Sequence, residues 1–165
     1  MKAMIFAAGL GTRLKPLTDT MPKALVPVGG MPLIEHVTRR LKASGVDEAV
    51  VNVHHFADKI EAWITEDAAQ HAGTGLTMKV SDERELLLET GGGILNARRF
   101  LADCGEFLVH NVDILSDLDI SWFASQIRKD ALSTLLVSAR DTSRYLLFDP
   151  VTMRLVGWTN IKTGE

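Results

Sequence analysis

Gly9, Gly11, Arg13 and Lys23 lie in one loop-rich stretch, FAAGLGTRLKPLTDTMPKAL, which runs on from the apolar Met4-Ile5-Phe6. Glycine lets backbone approach a ligand closely and permits positive φ. Successive N–H groups in such a turn form an anion-binding concavity. Arg13 is suited to bidentate contact with phosphate oxygens, and Lys23 adds a second, point-like positive charge. Pro16 and Pro22 stiffen the segment and limit how far the two cations wander. These residue types suit a triphosphate cradle. On spacing alone, a structural glycine turn is an equal alternative. Two other phosphate motifs are excluded. The G-x-G-x-x-G dinucleotide fingerprint fails because Leu14 stands where the third glycine belongs, and the chain has no G-x-x-x-x-G-K-[ST] run.

The elements that must position this loop follow from the apolar periods. Residues 2–8 read as a buried strand. From Pro32 to Ser44 the apolar residues Leu33, Ile34, Val37 and Leu41 form a helical stripe that Gly45 ends. Strands are expected over 48–53, 76–80, 106–110 and 133–138, and helices over 57–71, 90–101 and 122–129. This alternation predicts an α/β fold: a Rossmann-like, doubly wound, mostly parallel mixed sheet with helices on both faces. Ligands of such sheets sit at the carboxyl ends of the strands. The glycine loop and Asn111-Val112-Asp113 each follow a strand, so both belong on that edge. A C-terminal β-hairpin is expected from 145–149 and 154–159.

The chain has 165 residues, 46% apolar and 24% charged, which suits a single domain spanning 1–165. The net charge of −3 gives no nucleic-acid footprint. No run approaches the roughly 18 apolar residues of a membrane span, and no signal pattern opens the chain. The single cysteine, Cys104, allows no intrachain disulfide. A cytoplasmic location is expected.

The opening stretch resembles the signature of the sugar-phosphate nucleotidyltransferases, the nucleoside-diphosphate-sugar pyrophosphorylases: roughly L-A-A-G-x-G-[ST]-R-L-x-P-L-T, then P-K-[AP]-L-x-P-V. The chain has Phe6 to Thr18 in the first part and Pro22-Lys23-Ala24-Leu25-Val26-Pro27-Val28 in the second. Met31-Pro32-Leu33-Ile34-Glu35 is similar to the helix start that follows. Within the family the likeness is to short bacterial members, such as N-acetylmuramate-1-phosphate uridylyltransferases and mannose-1-phosphate guanylyltransferase-like proteins. The resemblance implies transfer of a nucleoside monophosphate from an NTP, UTP or GTP, to a hexose-type 1-phosphate such as that of N-acetylmuramate, mannose, glucose or heptose, with release of pyrophosphate. It implies that Gly11, Thr12 and Arg13 wrap the triphosphate and that Lys23 contacts the phosphates, with Arg13 and Lys23 as the catalytic pair. Ala7, Ala8 and Gly9 would lie beside base and ribose. Glu89-Thr90-Gly91-Gly92-Gly93 is similar to the family's second glycine segment, which places Thr90, Gly91 and Gly92 over the nucleotide. Glu83 would stand near the base edge. Asn111-Val112-Asp113 resembles [NG]-x-D, which implies magnesium on Asp113 and the sugar phosphate at Asn111. Valine replaces the usual glycine at 112 and is expected to narrow the room beside the sugar.

Other chemistry-bearing residues have structural readings. His54 and His55 lack metal partners at a suitable spacing. Trp63, Trp122 and Trp158 read as packing residues, Arg98 and Arg99 as a solvated helix face, and Asp117 and Asp119 as strand-exit and cap residues. The family's second metal-binding aspartate finds no match in residues 139–165, so the domain is expected to be C-terminally incomplete, part of a protein of about 240 residues. A non-catalytic nucleotide-binding module of the same fold is the alternative. Arg13, Lys23 and Asp113 occurring together argue against it. Base, sugar and oligomeric state are not legible.

Overall fold

The computed structural model describes residues 1–70 and 73–165 and divides into two compact units, Met1–Ile127 and Arg128–Glu165. The first unit is built on four parallel strands: β1 (Lys2–Phe6), β4 (Glu48–Val53), β5 (Thr77–Asp82) and β6 (Phe107–Asn111), in the order β5-β4-β1-β6. β1 lies between β4 and β6 in register, with Phe6 opposite Asn52 on one side and Asn111 on the other. Chain progress therefore reverses at β1, and the crevice beyond the carboxyl ends of β1 and β6 is the switch point where such folds take ligands. A two-stranded ribbon, β2 (Pro27–Val28) with β3 (Met31–Pro32), leads into helix α1 (Leu33–Ala43). The other α-helices described in this unit are α2 (Ala57–Ala69), α3 (Glu89–Asn96), α4 (Arg98–Leu101) and α5 (Ile120–Ser125).

Strand alternation builds two cores. Ala3 and Ile5 of β1, with Ala49, Val51 and Val53 of β4, face α1, α2 and Ile120 of α5. Met4 and Val50 point the other way, onto Ala97 and Leu101. Helices thus cover both faces, and the central strands are apolar on both, as parallel strands must be. α1 buries Leu33, Ile34, Val37 and Leu41 and keeps Arg39 paired with Glu35 on its outer face. It ends in a Schellman turn: Gly45, at φ +81°, donates to Lys42 O, and Val46 donates to Leu41 O.

A charge ladder stitches the amino ends of the strands, away from the crevice. Glu48 of β4 takes Lys2 Nζ of β1 at 3.0 Å and Lys79 Nζ of β5 at 2.9 Å. Hydrogen bonds from Lys79 and then Lys2 hold the Glu48 carboxyl below the ordinary glutamate value of 4.5. Lys42 does the same for Asp47, and Lys2 for Asp103. Each contribution to stability is present above the unfolded-state pKa and is lost as pH falls through the depressed folded one. Acid titration of the unfolding free energy is therefore expected to show a decline below about pH 4.5. Glu48→Gln is expected to flatten that decline, with a loss at neutral pH of no more than about 1 kcal/mol because the pair is partly exposed.

Several boundaries differ from the sequence expectation. The strand expected over 133–138 does not form: these residues pair with no other segment among those described, and a strand exists only through its partner. The helix expected over 90–101 is two helices, interrupted at Ala97. α2 is described to Ala69, and His71 lies outside the described residues. Among the described residues the main sheet is wholly parallel, and antiparallel pairing occurs only in separate ribbons. The second unit holds the expected hairpin, β7 (Arg144–Phe148) with β8 (Leu155–Asn160), with an irregularity between Leu147 and Phe148. Its turn is tied by Asp149, whose Oδ1 accepts from Thr152 N at 2.6 Å and Val151 N at 3.1 Å. Arg128 and Arg154 both pair with Asp130.

Candidate active site

Beyond Phe6 the chain leaves the sheet and folds as three short 3-10 turns, Thr12–Leu14, Leu17–Asp19 and Lys23–Leu25. Gly11 opens the first at φ +66°, and its carbonyl accepts from Leu14 N and from Thr18 Oγ1, both at 2.9 Å. Thr12 and Arg13 are thereby left exposed at the crest of the loop, as is Gly9 at its base. The third turn begins after buried Pro22 and carries Lys23 back across the crevice.

Asp113 approaches from the other side. Val112 donates to Phe6 O at 3.1 Å, which extends the β1–β6 pairing by one step. Its side chain is buried in the larger core. Val112 therefore anchors the segment inward; it does not narrow the room beside a sugar, as the sequence led one to expect. Asn111 and Asp113, on either side of it, are exposed. Asp113 Oδ2 accepts from Lys23 Nζ, so the loop after β1 and the segment after β6 meet through one lysine and one carboxylate.

The second glycine segment lies at the start of α3. Glu89 adopts φ +58°, a left-handed conformation uncommon for a residue with a side chain. Thr90 and Gly91 are exposed and Gly92 half-buried, with open space around Gly91. Glu83 is 3% exposed, and its Oε1 accepts from Asn52 Nδ2 at 2.9 Å while its Oε2 accepts from Leu88 N at 3.2 Å. Ala7 and Ala8 are also buried, their N–H groups donated to Asn52 Oδ1 at 2.8 and 3.3 Å. Asn52 was missed in the sequence reading, although an asparagine inside the apolar run EAVVNV was the available signal. His54 is held by Glu83 O at 2.6 Å. Asp119 caps α5 by accepting from Trp122 N at 2.9 Å. Trp122 itself is exposed, so it is not the packing residue expected.

A metal is implied by the resemblance. Among the described residues no group of three or more His, Cys, Asp or Glu is arranged to hold one. Magnesium is typically bound by one or two carboxylates together with substrate phosphates. Asp113, exposed and already reached by a cation in Lys23, fits that donor set.

Residues 2–146 match the family model described as nucleotidyl transferase. The chain belongs to the nucleotidyl transferase family. It is 50% identical over 111 residues to the N-acetylmuramate alpha-1-phosphate uridylyltransferase of Caulobacter vibrioides, a match that covers 67% of this chain and 45% of that protein. Among solved structures, HddC from Yersinia pseudotuberculosis complexed with GMP-PN shares 30% identity and a TM-score of 0.64, over 75% of this chain and 52% of that one. A putative glucose-1-phosphate thymidylyltransferase from Bacillus anthracis, at 22% identity, matches the fold with a TM-score of 0.74 over 98% of this chain and 64% of that one. The chain spans about half the length of the curated relatives it matches. Among the described residues no helix is long and apolar enough to cross a membrane.

Proposed function

We propose that the protein transfers a nucleoside monophosphate from a nucleoside triphosphate to a sugar-1-phosphate, forming a nucleoside-diphosphate sugar and pyrophosphate. The observation that carries this reading is the meeting of Lys23 and Asp113 at the switch point of the sheet, beside the Gly11-Thr12-Arg13 turn. The 50% identical relative favours UTP with N-acetylmuramate 1-phosphate as the first pair to try. The GMP-PN complex of HddC keeps GTP in view.

In this reading a phosphate oxygen of the sugar-1-phosphate attacks the α-phosphorus. The bond from that phosphorus to the bridging oxygen breaks, and pyrophosphate leaves with the bonding electrons. No covalent bond to the protein forms. The exposed turn at 11–13 receives the β- and γ-phosphates through its N–H groups and the Arg13 guanidinium. Lys23 stands where charge grows on the transferring phosphoryl group. Asn111 orients the incoming sugar phosphate, and Thr90, Gly91 and Gly92 lie against the nucleoside. Asp113 would hold a magnesium ion, which when bound would supply positive charge against the phosphates. Positioning two polyanions and neutralising charge account for the catalysis. A cytoplasmic location accords with these substrates.

The test is pyrophosphate release by the complete gene product with Mg²⁺, crossing UTP, GTP, CTP and dTTP with a panel of sugar-1-phosphates. Release with one pair, lost on chelation, is the expected result. Nucleotide binding without release from any pair would favour a binding module instead.

A further inference from the structure

We propose that Asn52 and Glu83 are positioning residues that lock the two glycine segments to each other, and that they do so through an acceptor-donor order that requires one donor between the two side chains. The inference rests on the nucleotide-binding reading of those segments. Asn52 Oδ1 holds the Ala7 and Ala8 amides at the root of the first loop. Asn52 Nδ2 passes to Glu83 Oε1 at 2.9 Å, and Glu83 Oε2 takes the Leu88 amide at 3.2 Å, at the root of the second. Asn52 and Glu83 are 2% and 3% exposed, so water cannot substitute for a lost partner. The packing leaves no slack: a Cβ at Gly93 would stand 3.0 Å from Glu83 Oε1 and 3.1 Å from Asn52 Nδ2. The third glycine of α3 is thus the residue that admits the pair.

The chemistry of the chain is directional. Two backbone amides require an acceptor at position 52, and the Leu88 amide requires an acceptor at position 83. The bond between the two side chains then needs one donor. Asparagine at 52 and a carboxylate at 83 supply it. Asn52→Asp keeps the acceptor for Ala7 and Ala8 but sets two carboxylates against each other. Glu83→Gln leaves one donor facing another, whichever way its amide is turned. The double variant Asn52→Asp/Glu83→Gln restores every bond with the polarity of the central one reversed.

The experiment compares the complete gene product with both single variants and the double variant. It uses titration with UTP and GTP in Mg²⁺, steady-state kinetics, and amide hydrogen exchange at Ala7, Ala8 and Leu88. Each single variant is expected to weaken nucleotide binding by about tenfold or more. The loss falls on KM for the nucleoside triphosphate while KM for the sugar phosphate holds, and exchange accelerates at the three amides. The double variant is expected to return within about threefold of the parent. A merely structural role would lower the active fraction and leave KM unchanged, which would overturn the proposal. So would a double variant no better than the worse single one. If the single variants fail to fold, a folded double variant supports the pairing and an unfolded one overturns it. Should the parent bind no nucleotide, the functional reading fails, and recovery of slow exchange in the double variant still decides whether the pairing exists.

Discussion

Lys23→Ala is expected to lower the rate of pyrophosphate release by about 10²- to 10³-fold, the usual loss when one preorganised charge-stabilising group is removed from a transition state. The structure explains why this lysine cannot be replaced from elsewhere in the loop. Pro22 fixes the entry to the turn at Lys23–Leu25, Val26 N closes that turn on Lys23 O at 3.1 Å, and the side chain then spans the crevice to Asp113. Arg13 lies on a different, exposed turn. The stability change separates this role from a structural one. The Lys23 and Asp113 side chains are 19% and 36% exposed, and partly exposed pairs of this kind are worth no more than about 1 kcal/mol. Thermal unfolding should therefore shift by only a few degrees while turnover collapses. Lys23→Arg is not expected to rescue it, because a planar, delocalised guanidinium does not place a point charge at the same spot. Thermal melts run beside the pyrophosphate assay read both outcomes from one preparation. Equal losses of melting temperature and rate would mean that Lys23 holds the loop together and does little else.

The elements that carry this geometry were legible in different degrees. The strands at 2–6 and 48–53 announced themselves as apolar runs, because a parallel strand covered on both faces has no polar face to interrupt it; the strand at 107–111 was an apolar run too, although it lies at the sheet edge and is only partly buried. α1 was equally plain from its stripe and its terminal glycine. The run at 133–138 carried the same local signal without forming a strand, since the pattern of one segment says nothing about whether another pairs with it. Within the site, glycines and cations were readable because their chemistry is local. The role of Glu83 was not. Its carboxylate is spoken for by Asn52, 31 positions earlier, and by the Leu88 amide, and only the parallel pairing of β4 with β5 brings 52 and 83 together. Val112 misled for the same reason: whether the side chain beside Asp113 faces the crevice or the core depends on the strand pairing before it. The three 3-10 turns and the ribbon at 27–32 lie below the length at which periodicity gives any signal.

Gly11→Ala is expected to cost both stability and turnover, in contrast to Gly9→Ala two residues earlier. At Gly11 two penalties coincide. The backbone sits at φ +66°, where a Cβ costs about 1–2 kcal/mol. That Cβ would also lie 2.8 Å from Thr18 Cγ2 and 3.2 Å from Lys23 Cβ, an overpacking of the kind that costs about 1–3 kcal/mol. Together they predict a Tm lower by about 4–20 °C, at about 2–4 °C per kcal/mol for a chain of this size. The contact with Thr18 cannot relax freely, because Thr18 is buried and its hydroxyl is bound to the Gly11 carbonyl at 2.9 Å. Relief must come by displacing the turn or the Lys23 stem, and a misplacement near 1 Å is enough to lower turnover by about 10²-fold. At Gly9 the backbone is not left-handed and nothing lies within 4 Å of an added Cβ, so Gly9→Ala should melt within a degree or two of the parent. Any loss of nucleotide affinity in that variant would then report the ligand's approach to the loop floor and not strain in the loop. Thermal melts and nucleotide titrations of the two variants side by side make the comparison. Similar melting temperatures for both would show that the loop yields at Gly11, and the claim that this glycine sets the position of Lys23 would fall.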